Sequence, residues 1–254
     1  MTVLCGCHID GLWAINESAN AWVWVRNRGW RKLDNRSADV CTRLLSLAAM
    51  SKEQNFAVSI HEEQRGADLV ITEIYDFPNG QMGPVEEISF SVSECVYGWT
   101  AAFAQQGTHV TVRIRLVPDA GITDATMATL RNTWQQGIEQ KWSNRFGCCD
   151  AAGCDCRCPM TFSVEWVTEN EHHAVRVLVG PNRSDMTNWD TLDSGDVASH
   201  EFGHMLGYPD EYASSTCPSR SPVSTGTVMD DNTEVVERLV RPFCDRLGES
   251  TSTL

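Results

Sequence analysis

The sequence predicts an α+β protein, with a small α/β unit over residues 1–84 followed by a larger mixed unit over 85–254. Three observations carry this reading. Runs of alternating apolar residues lie on either side of apolar stripes at helical spacing, so strand and helix periods are mixed along the chain. The turn-rich stretch Pro78-Asn79-Gly80-Gln81-Met82-Gly83-Pro84 divides it. The length of 254 residues, 42% of them hydrophobic, suffices for one core or two small ones.

In the first unit, Ala21-Trp22-Val23-Trp24-Val25 reads as a strand and Gly29-Trp30 as a bend. From Ser37 to Ser51, Val40, Leu44, Leu45, Leu47 and Ala48 recur at helical spacing, with Ser37 or Asp39 available as the cap. Residues 56–60 and 68–75 then read as a strand pair around a polar turn. In the second unit, His109 to Val117 alternates as a half-buried strand does. Thr123 or Asp124 can cap a helix whose Met127, Leu130, Trp134, Ile138 and Trp142 trace one apolar stripe. Strands follow at 162–168 and 173–179, then an acidic loop from Asp185 to Asp196 whose last carboxylate is placed to cap the next helix. Thr233 to Leu247 has a final helical spacing that Pro242 would kink. No internal repeat is present.

The formal net charge of −14 disfavours a nucleic-acid partner, which needs a basic patch. No stretch has the roughly 20 apolar residues that span a bilayer. The N-terminus shows neither a basic leader nor an apolar run, so no Sec signal is expected. Eleven cysteines, in contrast, suggest an oxidising compartment. Delivery by a dedicated, non-Sec secretion route, or a mature form without its leader, would reconcile the two. The odd cysteine total leaves at least one thiol without an intramolecular partner. Around Cys148, Cys149, Cys154, Cys156 and Cys158 three readings stand: disulfides reaching Cys217 or Cys244, a structural zinc site, or a thiolate that holds a precursor inactive. Cys5, Cys7 and His8 can be read as metal ligands or as disulfide partners.

Chemistry is most concentrated in His200-Glu201-Phe202-Gly203-His204. Histidines four apart on a helix share one face, where two imidazole nitrogens can meet a zinc ion at roughly 2.0–2.1 Å. Glu201, beside the first histidine, is placed to take a proton from water and return it to a leaving amine. Gly207 suits a left-handed helix end, after which the chain can bring Asp210 back to the metal. Glu211 is the alternative carboxylate, and a ligand from Glu234 or Glu237 on a later helix is a second. Tyr212 or Tyr208 can stabilise an oxyanion or simply pack. Asp185, Asp190, Asp193 and Asp196 admit calcium, although a solvated loop explains them as well. His172 and His173 are adjacent, so on a strand their rings face opposite ways. His8, His61 and His109 read as structural.

The run His200-Glu201-x-x-His204-x-x-Gly207-x-x-Asp210 resembles the metzincin metallopeptidases, and its aspartate resembles the snapalysin-type variant. Ser224 to Asp230 resembles the clan's Met-turn, with Met229 beneath the metal. Over residues 105–254 the resemblance implies a metzincin-like fold with a mixed sheet, active-site helix, Met-turn and C-terminal helix. It also implies one catalytic zinc on His200, His204 and Asp210, with Glu201 as general base acting on peptide or protein substrates. Similar segments occur in bacterial injected effectors. A gluzincin-type peptidase or a zinc-stabilised binding module are the alternatives. Residues 1–84 are expected to be an accessory unit of open role.

Overall fold

The computed structural model describes residues 2–75, 84–149, 158–248 and 250–253; side chains of Thr2, Val3, Cys5 and Cys149 are outside the description. Most of the expected divider at 78–84 also lies outside the described residues. The described chain is mixed α+β, with four helices and mixed sheets.

The first region contains β1 (Thr2–Cys7), β2 (Ile9–Ala14), β3 (Ala21–Val25) and β4 (Gly29–Leu33). Helix α1 (Ala38–Gln54), β5 (Val58–Arg65) and β6 (Asp68–Tyr75) complete it. Its six strands form one sheet in the order β1-β5-β6-β4-β3-β2, parallel only between β4 and β6. Ser37 caps α1 by accepting from the Val40 amide. Cys41, Leu44 and Ala48 on that helix pack with Val23, Val25, Leu33, Ile60 and Ile71 in a first core. The other face of β2 to β4 carries Trp13, Trp24 and Trp30 at 40–47% exposure. Trp13 lies opposite Trp22, and Trp24 opposite Trp30, in the strand register.

The second region opens with a hairpin, β7 (Glu86–Glu94) and β8 (Tyr97–Gln106), that the sequence reading did not anticipate. Strand β9 (His109–Pro118) and α2 (Asp124–Trp142) follow as expected, with Thr123 as the cap. Next come β10 (Phe146–Cys149), β11 (Cys158–Pro159), β12 (Thr161–Trp166), β13 (His173–Leu178) and β14 (Asn188–Asp190). Helix α3 (Gly195–Met205), α4 (Glu237–Arg246) and β15 (Ser250–Thr253) end the chain. Strand β9 pairs parallel with both β12 and β13, and antiparallel with β8. Strands β11, β10 and β15 form a separate small sheet. The final helix starts at Glu237, four residues later than Thr233, because an isolated parallel bridge pairs Glu234 with Thr227 ahead of it. Pro242 lies inside it.

The predicted stripe of α2 is fully engaged: Met127, Leu130, Trp134, Ile138 and Trp142 are all buried in a second core. Two of its indoles also fix α3. Trp134 Nε1 donates to the Asp193 carbonyl at 3.0 Å and Trp142 Nε1 to the Ser199 carbonyl at 3.0 Å. The helix bearing His200 is thereby held by a neighbour whose own position is set by apolar burial. No described helix is long and apolar enough to cross a membrane.

Candidate metal centre

Helix α3 begins at Ser194, whose hydroxyl accepts from the Val197 amide at 3.4 Å. This corrects the expected acidic cap. Asp196 instead sits in the first turn, where a carboxylate suits the helix dipole, and it pairs with Lys141 at 2.6 Å. The helix is buried over most of Ala198 to Met205, so one face can carry ligands only where the packing leaves an opening.

His200 and His204 lie one turn apart, with ring centroids separated by 4.9 Å. Their inner nitrogens are engaged by carbonyls: His200 Nδ1 with Val228 at 2.8 Å and His204 Nδ1 with Tyr208 at 2.7 Å. A carbonyl only accepts, so each Nδ1 holds a proton, and Nε2 is the nitrogen that would offer its lone pair to a metal ion once its own proton is displaced. Both Nε2 atoms face Asp210 Oδ1, at 3.1 and 3.2 Å. The three ligand atoms fall within 4.8 Å of one another, a group able to hold a metal ion.

Gly207 turns the chain from the helix toward Asp210 with φ +102°, the left-handed conformation expected of it. A Cβ there would also lie 2.6 Å from Phe90 Cζ. Met229 is buried under the same helix. Its sulfur occupies the space a Cβ on Gly203 would need, 2.2 Å from that position, and its carbonyl accepts from the Glu211 amide at 2.7 Å.

Burial opposes the charged form of Asp210, but hydrogen bonds from His200, His204 and Tyr212 outweigh it and hold the carboxyl well below the usual range. At His200 burial likewise disfavours the charge, yet Asp210, Glu201 and the Val228 carbonyl raise its pKa. Glu201 is 5% exposed, and its Oε2 is buried with no hydrogen-bond partner, 4.0 Å from His204 Nε2. Burial pushes its pKa up, against the pull of the two histidines.

Glu211 does not compete with Asp210. Its carboxylate accepts from Thr225, from Thr227 at 2.7 Å and from the Arg238 guanidinium. Glu234 is exposed and Glu237 pairs with Arg241, so neither joins the ligand group. Tyr212 is beside it, stacked near His200 with centroids 6.5 Å apart. Tyr208 is not: its hydroxyl donates to the Leu239 carbonyl at 2.5 Å, and its ring stacks on Trp142. The acidic loop serves its own backbone. Asp185 accepts from Thr187 and Asn188, Asp190 from the Asn182 and Leu192 amides, and Asp193 from Ser184 and the Asp190 amide. Among the described residues no second group of three metal-type side chains converges.

Disulfides join Cys148 to Cys244, one of the expected partners, and Cys95 to Cys217. Cys158 is also disulfide-bonded, whereas Cys154 and Cys156 lie outside the described residues. Cys41 is a buried free thiol. His172 and His173 point apart, the first to Glu87 and the second to the Ala102 carbonyl. His109 hydrogen-bonds Thr161 and Ser163.

The ligand group opens into a cleft of about 580 Å³. Tyr97, Trp99, Arg183, Asp185, Tyr212 and Arg220 line it with the ligands and Glu201. Three contributors escaped the sequence reading. Trp99 Nε1 donates to the His204 carbonyl at 2.8 Å, and Arg220 contacts Asp210 at 3.1 Å and Glu94 at 2.8 Å. No family model, curated protein or solved structure matches this chain.

Proposed function

We propose that the chain is a zinc-dependent endopeptidase of metzincin-like type, with His200, His204 and Asp210 as ligands and Glu201 as general base. One observation carries the reading: a buried carboxylate oxygen without a hydrogen-bond partner lies 4.0 Å from a histidine nitrogen of a converged ligand group, at the base of an open cleft. Leaving such a group unsatisfied is costly, and a proton-transfer role explains it.

The residues fit zinc. Two imidazole Nε2 atoms and one carboxylate oxygen form a three-ligand donor set typical of a catalytic site, and the carbonyls at Nδ1 fix the required tautomers. Zinc bound there would supply a Lewis acid that polarises a carbonyl and lowers the pKa of water. Glu201 then takes the proton of the attacking water and delivers it to the departing amine nitrogen. Tyr212 lines the cleft next to Asp210, within reach of a bound peptide. The metzincin-type ligand spacing and Met229 beneath Gly203 support this assignment over a gluzincin-type ligand from Glu234 or Glu237. Two histidines and a carboxylate also suit iron(II) oxygenases, but those have no use for Glu201.

Elemental analysis and cleavage of an unfolded protein substrate test the proposal, for wild type and Glu201→Ala. Zinc retained by both with cleavage lost in the variant is the expected result. Absence of zinc from the wild type, or undiminished cleavage by the variant, would overturn it.

A further inference from the structure

Asp210 lies in a stretch without helix or strand between α3 and α4, so its own backbone does little to aim its carboxylate. A buried cation does. Arg220 has a side chain 3% exposed, and its Nη2 lies 3.1 Å from Asp210 Oδ2 while Oδ1 faces the two histidines. The two oxygens are thus divided between a guanidinium and the ligand group.

Arg220 is itself held from three directions. Its Nε and Nη2 donate to the two oxygens of Glu94 at 2.9 and 2.8 Å. Its Nη1 donates to the Tyr212 carbonyl at 3.0 Å, and the guanidinium lies 4.9 Å over the Tyr212 ring. Glu94 ends β7, and the next residue, Cys95, is bonded to Cys217, three positions before Arg220. One ionic and one covalent link therefore tie the hairpin tip to the ligand loop. Charge supports the same design. An isolated guanidinium beside Asp210 would draw the carboxylate away from a metal ion, but Glu94 offsets its charge.

We propose that Arg220, anchored by Glu94, is the positioning residue of the metal centre, orienting Asp210 so that Oδ1 completes the ligand group. This rests on the reading of His200, His204 and Asp210 as metal ligands. Residues that orient a ligand commonly contribute 10–100-fold in metal affinity. A bidentate fork that serves two carboxylates and a carbonyl together is a task for arginine, since an ammonium is a point donor without that geometry.

Zinc affinity of the full chain, measured by competition with a chromophoric chelator, tests this in wild type, Arg220→Ala, Arg220→Lys and Glu94→Gln after circular dichroism has established their folding. Arg220→Ala is expected to bind zinc about 10–100-fold more weakly, with partial recovery in Arg220→Lys and a smaller loss in Glu94→Gln. A folded Arg220→Ala with wild-type affinity would make Arg220 merely structural and overturn the proposal. Tighter binding would overturn it too, by showing that the cation repels the metal. If Arg220→Ala does not fold, unchanged affinity in both other variants has the same force. A wild type that binds no zinc removes the metal-site reading itself, and this proposal with it.

Discussion

Two buried glutamates ten residues apart have opposite surroundings. Glu201, on the ligand helix, has a buried oxygen with no hydrogen-bond partner and a pKa raised by burial. Glu211, in the loop beneath, has Arg238, Thr225 and Thr227 on its carboxylate, and they outweigh burial and lower its pKa. A carboxylate with an unpartnered oxygen thus stands against one engaged in holding the loop against Met229. Both would look alike to a count of buried charges. The partners distinguish them.

The largest expected effect breaks the comparison on the Glu201 side. Glu201→Gln should lower peptidase turnover about 10²–10⁴-fold, the usual contribution of a general base, while urea denaturation of the metal-free protein shows no loss of stability. A variant that unfolds instead would place Glu201 with Glu211. The converse substitution, Glu211→Gln, should destabilise the metal-free protein by about 3 kcal/mol, because the buried carboxylate loses its charge-assisted hydrogen bonds from Thr225, Thr227 and the exposed Arg238. Turnover per folded, metal-loaded molecule should change little.

His173 offers a third environment, a buried base satisfied in its neutral form by the Ala102 carbonyl. Burial lowers its pKa from 6.5 to about 4. The folded state therefore binds this proton less readily than the unfolded one. Its contribution to stability is complete above pH 6.5 and is lost as the pH falls through 6.5 toward 4, up to roughly 2–3 kcal/mol. Chemical denaturation of the metal-free protein across that window, compared with His173→Gln, should show the slope flatten in the variant. The smallest effect concerns the floor beneath the ligand helix: Gly203→Ala should cost about 2 kcal/mol, since the new Cβ displaces the Met229 sulfur. Wild-type melting in that variant would show that Met229 can yield freely.

Local patterns made the ligand helix legible. The four-residue histidine spacing, the glycine at 207 and the aspartate beyond it all follow from helix geometry and one left-handed turn. The stripe of α2 was equally readable because each of its five apolar positions is buried. The hairpin β7–β8 was not, for a physical reason. Its two-residue turn is Cys95-Val96, with Cys95 at φ +54°, where Asn or Gly would have signalled a turn. Without the hairpin, Trp99 and Glu94 have no visible relation to the site. Arg220 was hidden likewise, since its partner Glu94 lies 126 residues away. Gly203 lies inside the motif, but only the approach of Met229 explains it.

The distribution of tryptophan has an optical consequence. Trp13, Trp22, Trp24 and Trp30 belong to the first sheet, three of them partly open to water, while Trp134, Trp142 and Trp189 are sealed in the second core. Iodide should quench the first group more than the sealed indoles, with Trp99 and Trp166 between them, so the response of the first sheet to heating can be followed apart from the red shift of the sealed set. One fluorescence cuvette can therefore report whether the two cores melt together or in sequence.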